Sequence, residues 1–385
     1  MAAAVPVYDA AIIGGGAAGL AAAVSYLRRE PHGRLLLIEA NDACGKKLLA
    51  TGSGRCNISN LSANGYISAK SFFQKTGVLF RVEAGGRAYP MSGQAASVRD
   101  ALVRALENGN AEIRCGTRAS RVTRGLAGEA GGTGGFTVVL DGGGDVRARR
   151  LLIATGGKAG PQYGCFGGGY TFARRLGHSV ESIRPALVPL VYTEKEQQRL
   201  AGLKGARVRS RAELFIDGRR AAASSGEMQF TDYGLSGVMM FDLSTMMPKS
   251  IIEDRPRTEI AIDLAPGEEA ATLERLMRDN EGLWLEGVVG KKLSDLLVRE
   301  CGGDPARIAS LAKNFVARVS GTKGWKEAQA TLGGVRVREV DEATGESLLC
   351  KGLFFAGEVL EPVYLCGGYN LDYAWATGQR AGAHL

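Results

Sequence analysis

Residues 7 to 40 read VYDAAIIGGGAAGLAAAVSYLRREPHGRLLLIEA, and the order of elements they encode sets the architecture of the chain. An apolar run (7–13), a glycine turn (14–19), an alanine-rich run (18–30) and a second apolar run (34–40) predict strand, tight turn, helix and strand. Together they make a buried parallel β-α-β unit. The turn carries Gly14-x-Gly16-x-x-Gly19, with Ala17 and Ala18 opening the helix. Glycines here permit a tight turn, close approach of backbone to a pyrophosphate, and close packing of helix on strand. The helix N-terminus adds free N–H groups and the positive end of its dipole. Glu39 ends the second strand, where a carboxylate accepts hydrogen bonds from a ribose hydroxyl. Strand, turn, helix, strand and acid in this order predict a Rossmann-type dinucleotide site.

The remaining composition bounds what such a site can do. At 385 residues, 45% hydrophobic and 23% charged, the chain has room for two or three domains and reads as a globular protein. No run of about 18 or more apolar residues is present, so no membrane association is expected. The apolar N-terminus lacks the basic region of a secretion signal and is interrupted by glycines, so it reads as folded structure. Seven cysteines without a C-x-x-C pair fit reduced thiols in a cytoplasm. Three histidines make a metal site or a histidine-centred triad a poor expectation. Chemistry must then come from a cofactor. The net charge of +8 arises from scattered arginines without interleaved aromatics, which reads as a solvated surface with no nucleic-acid partner.

Along the chain, a helix is expected over 97–110, a strand from 112, an exposed glycine-rich turn over 125–135, and a hairpin returning through 136–157. Short strands follow from 188, with Asp217-Gly218 as a hairpin turn. Apolar spacings of three and four predict helices over 266–280, 291–300 and 304–319. β structure is expected again over 326–340. Gly167-Gly168-Gly169 reads as a turn, because no ribose-binding acid follows a second strand.

Two further apolar strands end in glycine turns: LLIATGG (151–157), with Thr155, Gly156 and Gly157, and GLFFAGE (352–358), with Gly357 and Glu358. An ADP fingerprint at the start and a Gly-acid strand end near the C-terminus resemble FAD-binding domains of the glutathione reductase type. That resemblance implies that Glu358 contacts the ribityl chain. It also implies that the last helix, beginning in CGGYNLDYAWATGQRAG (366–382), points its N-terminus at the flavin pyrimidine.

The segments KKLLATGSGRCNISN (46–60), LLIATGGKAGPQYG (151–164), MQFTDYGLSGVMM (228–240), ATLGGV (330–335) and AGEVLEPVYLCGGYNLDYAWATG (356–378) resemble three-domain bacterial flavoproteins of the YhiN/BaiN type, which include aminoacetone oxidase. The resemblance implies a discontinuous FAD domain over 1–187 and 326–385. It implies an insert over 188–325 made of a small β-barrel (about 188–265) and helices (about 266–320). One departure is Gly-Gly-Gly at 167–169, where the family commonly has Gly-Asp-Gly, which puts in doubt any role carried by that acid. FAD contacts are expected from the fingerprint residues and Glu39, from Lys47, Gly54, Arg55, Cys56 and Asn57, with Asn60 as a further donor, and from Thr155, Gly156, Gly157, Gly357, Glu358, Gly368, Tyr369 and Asn370. Tyr364, Cys366 and Tyr369 flank the last helix as catalytic candidates.

Three activities follow as alternatives. The first is NAD(P)H-driven reduction of a double bond conjugated to a ketone, with a bile-acid-like small molecule as substrate and the nicotinamide bound transiently. The second is oxidation of a small amine such as aminoacetone by O2. A more remote third is a nucleic-acid-modifying flavoprotein. Cys56 has no second cysteine about four residues away, so a redox-active disulfide in that loop is not expected.

Overall fold

The computed structural model describes residues 7–125, 134–247, 257–280 and 284–385. The chain divides into two compact units: Met1–Arg184 with Ala330–Leu385, and Pro185–Gln329.

In the first unit, β1 (Val7–Ile13), α1 (Ala17–Arg29) and β2 (Leu35–Ile38) form the unit expected from the opening stretch. Both strands pair in parallel, from Ala10 opposite Leu35 to Ile13 opposite Ile38. Helix α2 (Ala95–Asn108) then leads to β3 (Glu112–Arg114). Strands β4 (Ala119–Arg124), β5 (Phe136–Leu140) and β6 (Asp145–Ile153) follow, then helix α3 (Gly168–Arg175), β7 (Leu353–Phe355) and helix α4 (Tyr369–His384). The sheet order is β3-β2-β1-β6-β5-β4, with β7 also pairing β6. Pairs β3–β2, β2–β1, β1–β6 and β6–β7 are parallel, whereas β6–β5 and β5–β4 form the expected antiparallel meander. Strands at the sheet centre are buried on both faces, as parallel strands must be: Ala10 to Ile12, Leu36, Leu37 and Leu151 to Ile153 are at most 1% exposed.

Four expectations need correction. The stretch from 112 is two strands separated by a turn at Gly116, not one. Gly168 and Gly169 open helix α3, although glycine is a poor helix former. The reason is packing, since a Cβ on Gly169 would lie 2.1 Å from Thr155 Oγ1 and 3.0 Å from Ile153 Cγ2. The β structure expected over 326–340 is limited to the strand Ala330–Leu332 and isolated bridges at Val335 and Val340, with a tight turn at Val337–Glu339. The glycine-rich turn expected over 125–135 lies mostly outside the described residues.

The second unit contains a closed six-stranded barrel in the order 190–192, 234–236, 219–230, 207–216, 258–263, 315–322. Asp217 (φ 50°) and Gly218 (φ 77°) make the hairpin turn between two of the long strands. The last barrel strand corrects the fourth expectation: the helix predicted over 304–319 ends at Lys313, and Phe315–Thr322 is a strand. Phe315, Ala317 and Val319 point into the barrel, while Arg318 and Ser320 point out. This two-residue alternation overrides the helical spacing that precedes it. The helices at Ala270–Asp279, Lys291–Cys301 and Pro305–Lys313 therefore interrupt the barrel before its closing strand rather than following it.

Helices α1 and α4 pack backbone to backbone. A Cβ on Gly378 would lie 2.4 Å from the Ala18 carbonyl oxygen, and one on Gly382 would lie 2.1 Å from that of Ala22. Since both atoms met are backbone, the contact cannot yield by side-chain rotation. Gly382→Ala is expected to lower unfolding free energy by roughly 1–3 kcal/mol, whereas Gly287→Ala should change it by less than about 0.5 kcal/mol. At Gly287 a methyl would meet nothing within 4 Å. Urea denaturation of the two variants beside the parent checks both.

Candidate functional site

The site is built from four segments of the first unit that converge through backbone hydrogen bonds. At the first, the Gly14 N–H donates to Ile38 O at 2.8 Å; Gly14 has φ 110°, and a Cβ there would strike Ala154 O at 2.4 Å. Gly16 caps α1 without a side chain, no acid lies in the first turn, and a Cβ on Gly16 would meet nothing within 4 Å. This leaves an uncapped, positively polarised helix end with open space before it. Gly19 serves packing, since a Cβ there would lie 1.9 Å from Gly14 O. Ala18 is buried, while Ala17 remains partly exposed at the helix start.

Glu39 lies at the end of β2, 7% exposed. Its Oε2 accepts the Gly15 N–H at 2.7 Å, and its Oε1 accepts from both the Asn41 backbone and Asn41 Nδ2 at 2.7 Å. Oε2 has one donor and keeps a lone pair available to a ribose hydroxyl.

The second segment is the loop TGSGRCNISN. Gly52, Ser53, Gly54 and Cys56 all adopt positive φ, from 56° to 83°, and the two non-glycine residues carry a strain that surrounding contacts must hold. Those contacts come from α4. Trp375 Nε1 donates to Ile58 O at 3.0 Å, and the Ser59 hydroxyl donates to Asp372 Oδ1 at 2.5 Å. Asn60 Nδ2 donates to Gly367 O at 3.0 Å, and the Gly65 N–H donates to Asp372 Oδ2 at 2.9 Å. Burial raises the Asp372 carboxyl above its usual range, and the Ser59 and Gly65 donors oppose that rise. Asn57 Oδ1 is buried without a partner, and a Cβ on Gly368 would come within 2.9 Å of it. An orphaned acceptor beside the N-cap of α4 fits a ligand donor there.

The third and fourth segments meet at Glu358. Its Oε2 accepts from Lys47 Nζ at 2.6 Å and its Oε1 from the Thr331 N–H at 2.9 Å. Burial alone would lower the Lys47 pKa; the Glu358 carboxylate, helped by Cys165 and Tyr163, outweighs it and raises the pKa. The buried Thr331 hydroxyl in turn accepts the N–H groups of Lys158 and Ala159, tying Glu358 to the turn at Thr155, Gly156 and Gly157. Gly156 (φ 69°) faces open space, whereas a Cβ on Gly157 would strike Thr331 Oγ1 at 2.2 Å. Gly357 (φ 76°) packs against Ala18 of α1.

Several residues expected to contact cofactor are used otherwise. The Arg55 guanidinium pairs with Glu83 and lies 4.1 Å over the Tyr89 ring, so its charge is already matched. Cys56 is completely buried among core side chains, with its thiol pushed up to about 12 by burial, and it offers no surface to a ligand. Asn60 is 2% exposed and spends its amide on Gly85 O and Gly367 O. Both ends of the Asn370 amide bind the Tyr364 backbone, at 2.9 and 2.8 Å, closing the 364–370 loop. Gly54 is exposed, and its carbonyl accepts the Ala95 N–H.

That closed loop holds the catalytic candidates. Tyr364 is half-exposed with its ring 5.2 Å from Tyr373, and burial raises its phenol pKa from the usual value. Cys366 and Tyr369 are partly exposed, with Tyr369 the first residue of α4. Sequence reasoning missed Thr331 and Asp372, whose only signal is a polar side chain within an otherwise apolar stretch. Among the described residues no cluster of three or more His, Cys, Asp or Glu could hold a metal, and no helix is long and apolar enough to cross a membrane.

A profile described as the HI0933-like protein Rossmann domain matches residues 65–384. The 3-dehydro-bile acid delta(4,6)-reductase of Clostridium scindens is 32% identical, over 96% of this chain and 97% of that one. The ribosomal RNA dihydrouridine synthase of Escherichia coli is 28% identical, over 96% of each. Among solved structures, 3-ketosteroid delta1-dehydrogenase from Sterolibacterium denitrificans superposes with a TM-score of 0.55 at 14% identity, covering 98% of this chain and 99% of that one. A flavocytochrome c3 fumarate reductase gives 0.52 at 15%, covering 98% and 78%. The two superpositions show a shared fold.

Glu39→Ala is expected to weaken FAD binding by about 1–3 kcal/mol, because it removes a charged acceptor and frees the Gly15 N–H. Fluorescence titration of apoprotein with FAD measures this directly, and an unchanged affinity would contradict the assignment of Glu39.

Proposed function

The chain belongs to the family of HI0933-like proteins with a Rossmann domain, an FAD-dependent oxidoreductase family, and on that premise we propose that it reduces a carbon–carbon double bond conjugated to a carbonyl. NAD(P)H supplies the electrons, and the substrate is an enone of the bile-acid or steroid type. The observation that carries this reading is the identity of 32% over nearly the whole length with a bile-acid reductase.

FAD, when bound, takes a hydride from a nicotinamide and delivers one to a carbon. The protein's part is to hold and orient. The uncapped end of α1 would hold the pyrophosphate and Glu39 the ribose. Lys47 and Thr331 fix the Glu358 carboxylate in one orientation, and the N-terminus of α4 favours negative charge near Gly368. Hydride addition to the β-carbon of an enone places negative charge on the carbonyl oxygen and requires a proton at the α-carbon. Tyr369 Oη at the head of α4 gives that proton.

A second reading rests on a separate observation. Two relatives, from Escherichia coli and Haemophilus influenzae at 28% and 26% identity, are ribosomal RNA dihydrouridine synthases. The 5,6 double bond of uridine is also conjugated to a carbonyl, so the chemistry is the same and the substrate differs. Arg207, Arg209 and Arg211 alternate outward along one barrel strand, with Arg219 and Arg220 exposed on its neighbour; Glu227 pairs Arg207 and Glu213 pairs Arg211 and Arg220, and the five arginines against two glutamates leave an excess of the sign RNA requires.

Anaerobic titration with NADH and NADPH should bleach the bound flavin. Mixing with a 3-oxo-Δ4,6 steroid should restore the colour rapidly and yield reduced steroid. Reoxidation by unmodified ribosomal RNA with formation of dihydrouridine, and none by steroid, would favour the second reading. Reoxidation only by air after reduction by a small amine would sink both. Tyr369→Phe is expected to slow the substrate half-reaction by roughly 100-fold or more, leaving reduction by NAD(P)H unchanged. Stopped-flow absorbance separates the two steps.

A further inference from the structure

Cys44 and Cys115 lie 71 residues apart in sequence, yet their sulfurs are 3.9 Å apart. They occupy the loops that follow two adjacent parallel strands, β2 and β3. Those loops are stitched together: Glu39 N–H donates to Arg114 O at 2.9 Å, Gly116 N–H to Asn41 O at 2.6 Å, and Thr117 N–H to Glu39 O at 3.0 Å. On the other side, Cys44 touches the fingerprint turn. A Cβ on Gly15 would lie 2.6 Å from Cys44 Sγ and 3.1 Å from Glu39 Oε2, and Gly45 N–H donates to Gly15 O at 2.9 Å. Both cysteines line a cavity of ≈ 430 Å³ open to solvent, whose wall includes Arg99, Arg104 and Glu107.

We propose that Cys44 and Cys115 are a peroxide-sensitive thiol pair that closes to a disulfide and clamps the Glu39 loop of the cofactor site. Cys44 is 4% exposed, whereas Cys115 is partly exposed, so a small oxidant entering the cavity reaches Cys115. Cys44, buried and 3.9 Å from Cys115 Sγ, meets its neighbour's sulfur and not the entering oxidant, which makes it the resolving sulfur. Cys115 thiolate attacks hydrogen peroxide; an S–O bond forms, the O–O bond breaks, and the departing hydroxide takes a proton to become water. Cys44 Sγ then attacks Cys115 Sγ; an S–S bond forms, the S–O bond breaks, and a second water leaves with the Cys44 proton. Two thiols and one peroxide thus give one disulfide and two waters. A cross-link between the β2 and β3 loops restricts their separation and holds Glu39 against Gly15. The cross-link itself does not depend on which substrate the enzyme reduces, and the clamp depends only on FAD binding at the fingerprint.

The test treats FAD-loaded protein with hydrogen peroxide, then alkylates free thiols and digests without reductant. The expected result is a Cys44–Cys115 cross-linked peptide that disappears with dithiothreitol and does not form in Cys115→Ser. Melting temperature should rise by roughly 5 °C, and FAD loss by dilution should slow by roughly 5-fold, in the parent alone. Both cysteines remaining alkylatable, or stopping at separate oxidised forms, would overturn the pair. Equal FAD-loss rates in reduced and cross-linked protein would overturn the clamp.

Discussion

Helices α1 and α4 come from opposite ends of the chain and approach until the carbonyls of Ala18 and Ala22 fill the space where Gly378 and Gly382 would carry side chains. That approach fixes where the head of α4 can stand relative to the fingerprint turn. Gly357 packs on the Ala18 methyl, and the next residue, Glu358, reaches Lys47. The dinucleotide turn and the strained loop at 52–56 are each separated from the segment at 357–370 by more than 300 residues of chain. Their juxtaposition depends on one helix–helix contact from which side chains have been removed. Glycine costs helix stability, and two of them within one turn of α4 make sense only if the tertiary contact returns more than propensity loses.

The opening β-α-β unit was legible because three independent signals coincide in residues 7 to 40: apolar strands, alanine-rich helix spacing, and glycines with an acid at fixed offsets. Legibility fails where one residue pattern satisfies two periods. Ile308, Leu311, Ala312, Phe315 and Val319 continue a helical stripe, while Phe315, Ala317 and Val319 also alternate as a strand. Over five residues the two are not separable, and closure of the barrel against 258–263 and 190–192 decides the matter. Gly168 and Gly169 failed for the opposite reason. Their local propensity is for a turn, yet they lie in a helix, and at Gly169 the close approach of Thr155 and Ile153 leaves no room for a Cβ.

Among site residues, the backbone-determined ones were the readable ones. Gly14 and Gly19 are readable from spacing because a side chain fits at neither, a Cβ meeting Ala154 O at one and Gly14 O at the other, whereas Gly16 faces open space. Arg55, Asn60 and Asn370 carry several donors apiece, and nothing local tells whether those donors meet a ligand or another part of the chain. Arg55 finds Glu83, Asn60 finds Gly367, and Asn370 closes its own loop. Asp372 was overlooked because its partners, Ser59 and Gly65, lie more than 300 residues upstream.

Asp372 also bears on the charge of the site. It lies in the first turn of α4, where an ionised carboxylate would offset the positive helix end that favours an anionic ligand. Two donors spread its charge over the loop at 59–65, and burial raises its pKa, so less negative field reaches Gly368. On the proposed reading this matters equally for a steroid enone and for a uracil ring, since both acquire negative charge on a carbonyl oxygen as the double bond is reduced. The FAD domain then answers one electronic demand shared by two unlike substrates. What distinguishes them is size and charge: a fused hydrocarbon requires an apolar surface, and a ribosomal RNA requires a cationic one. Choice of substrate therefore belongs to residues outside the cofactor cradle, and a chain can keep every contact around Glu39 and Glu358 while exchanging one substrate class for the other.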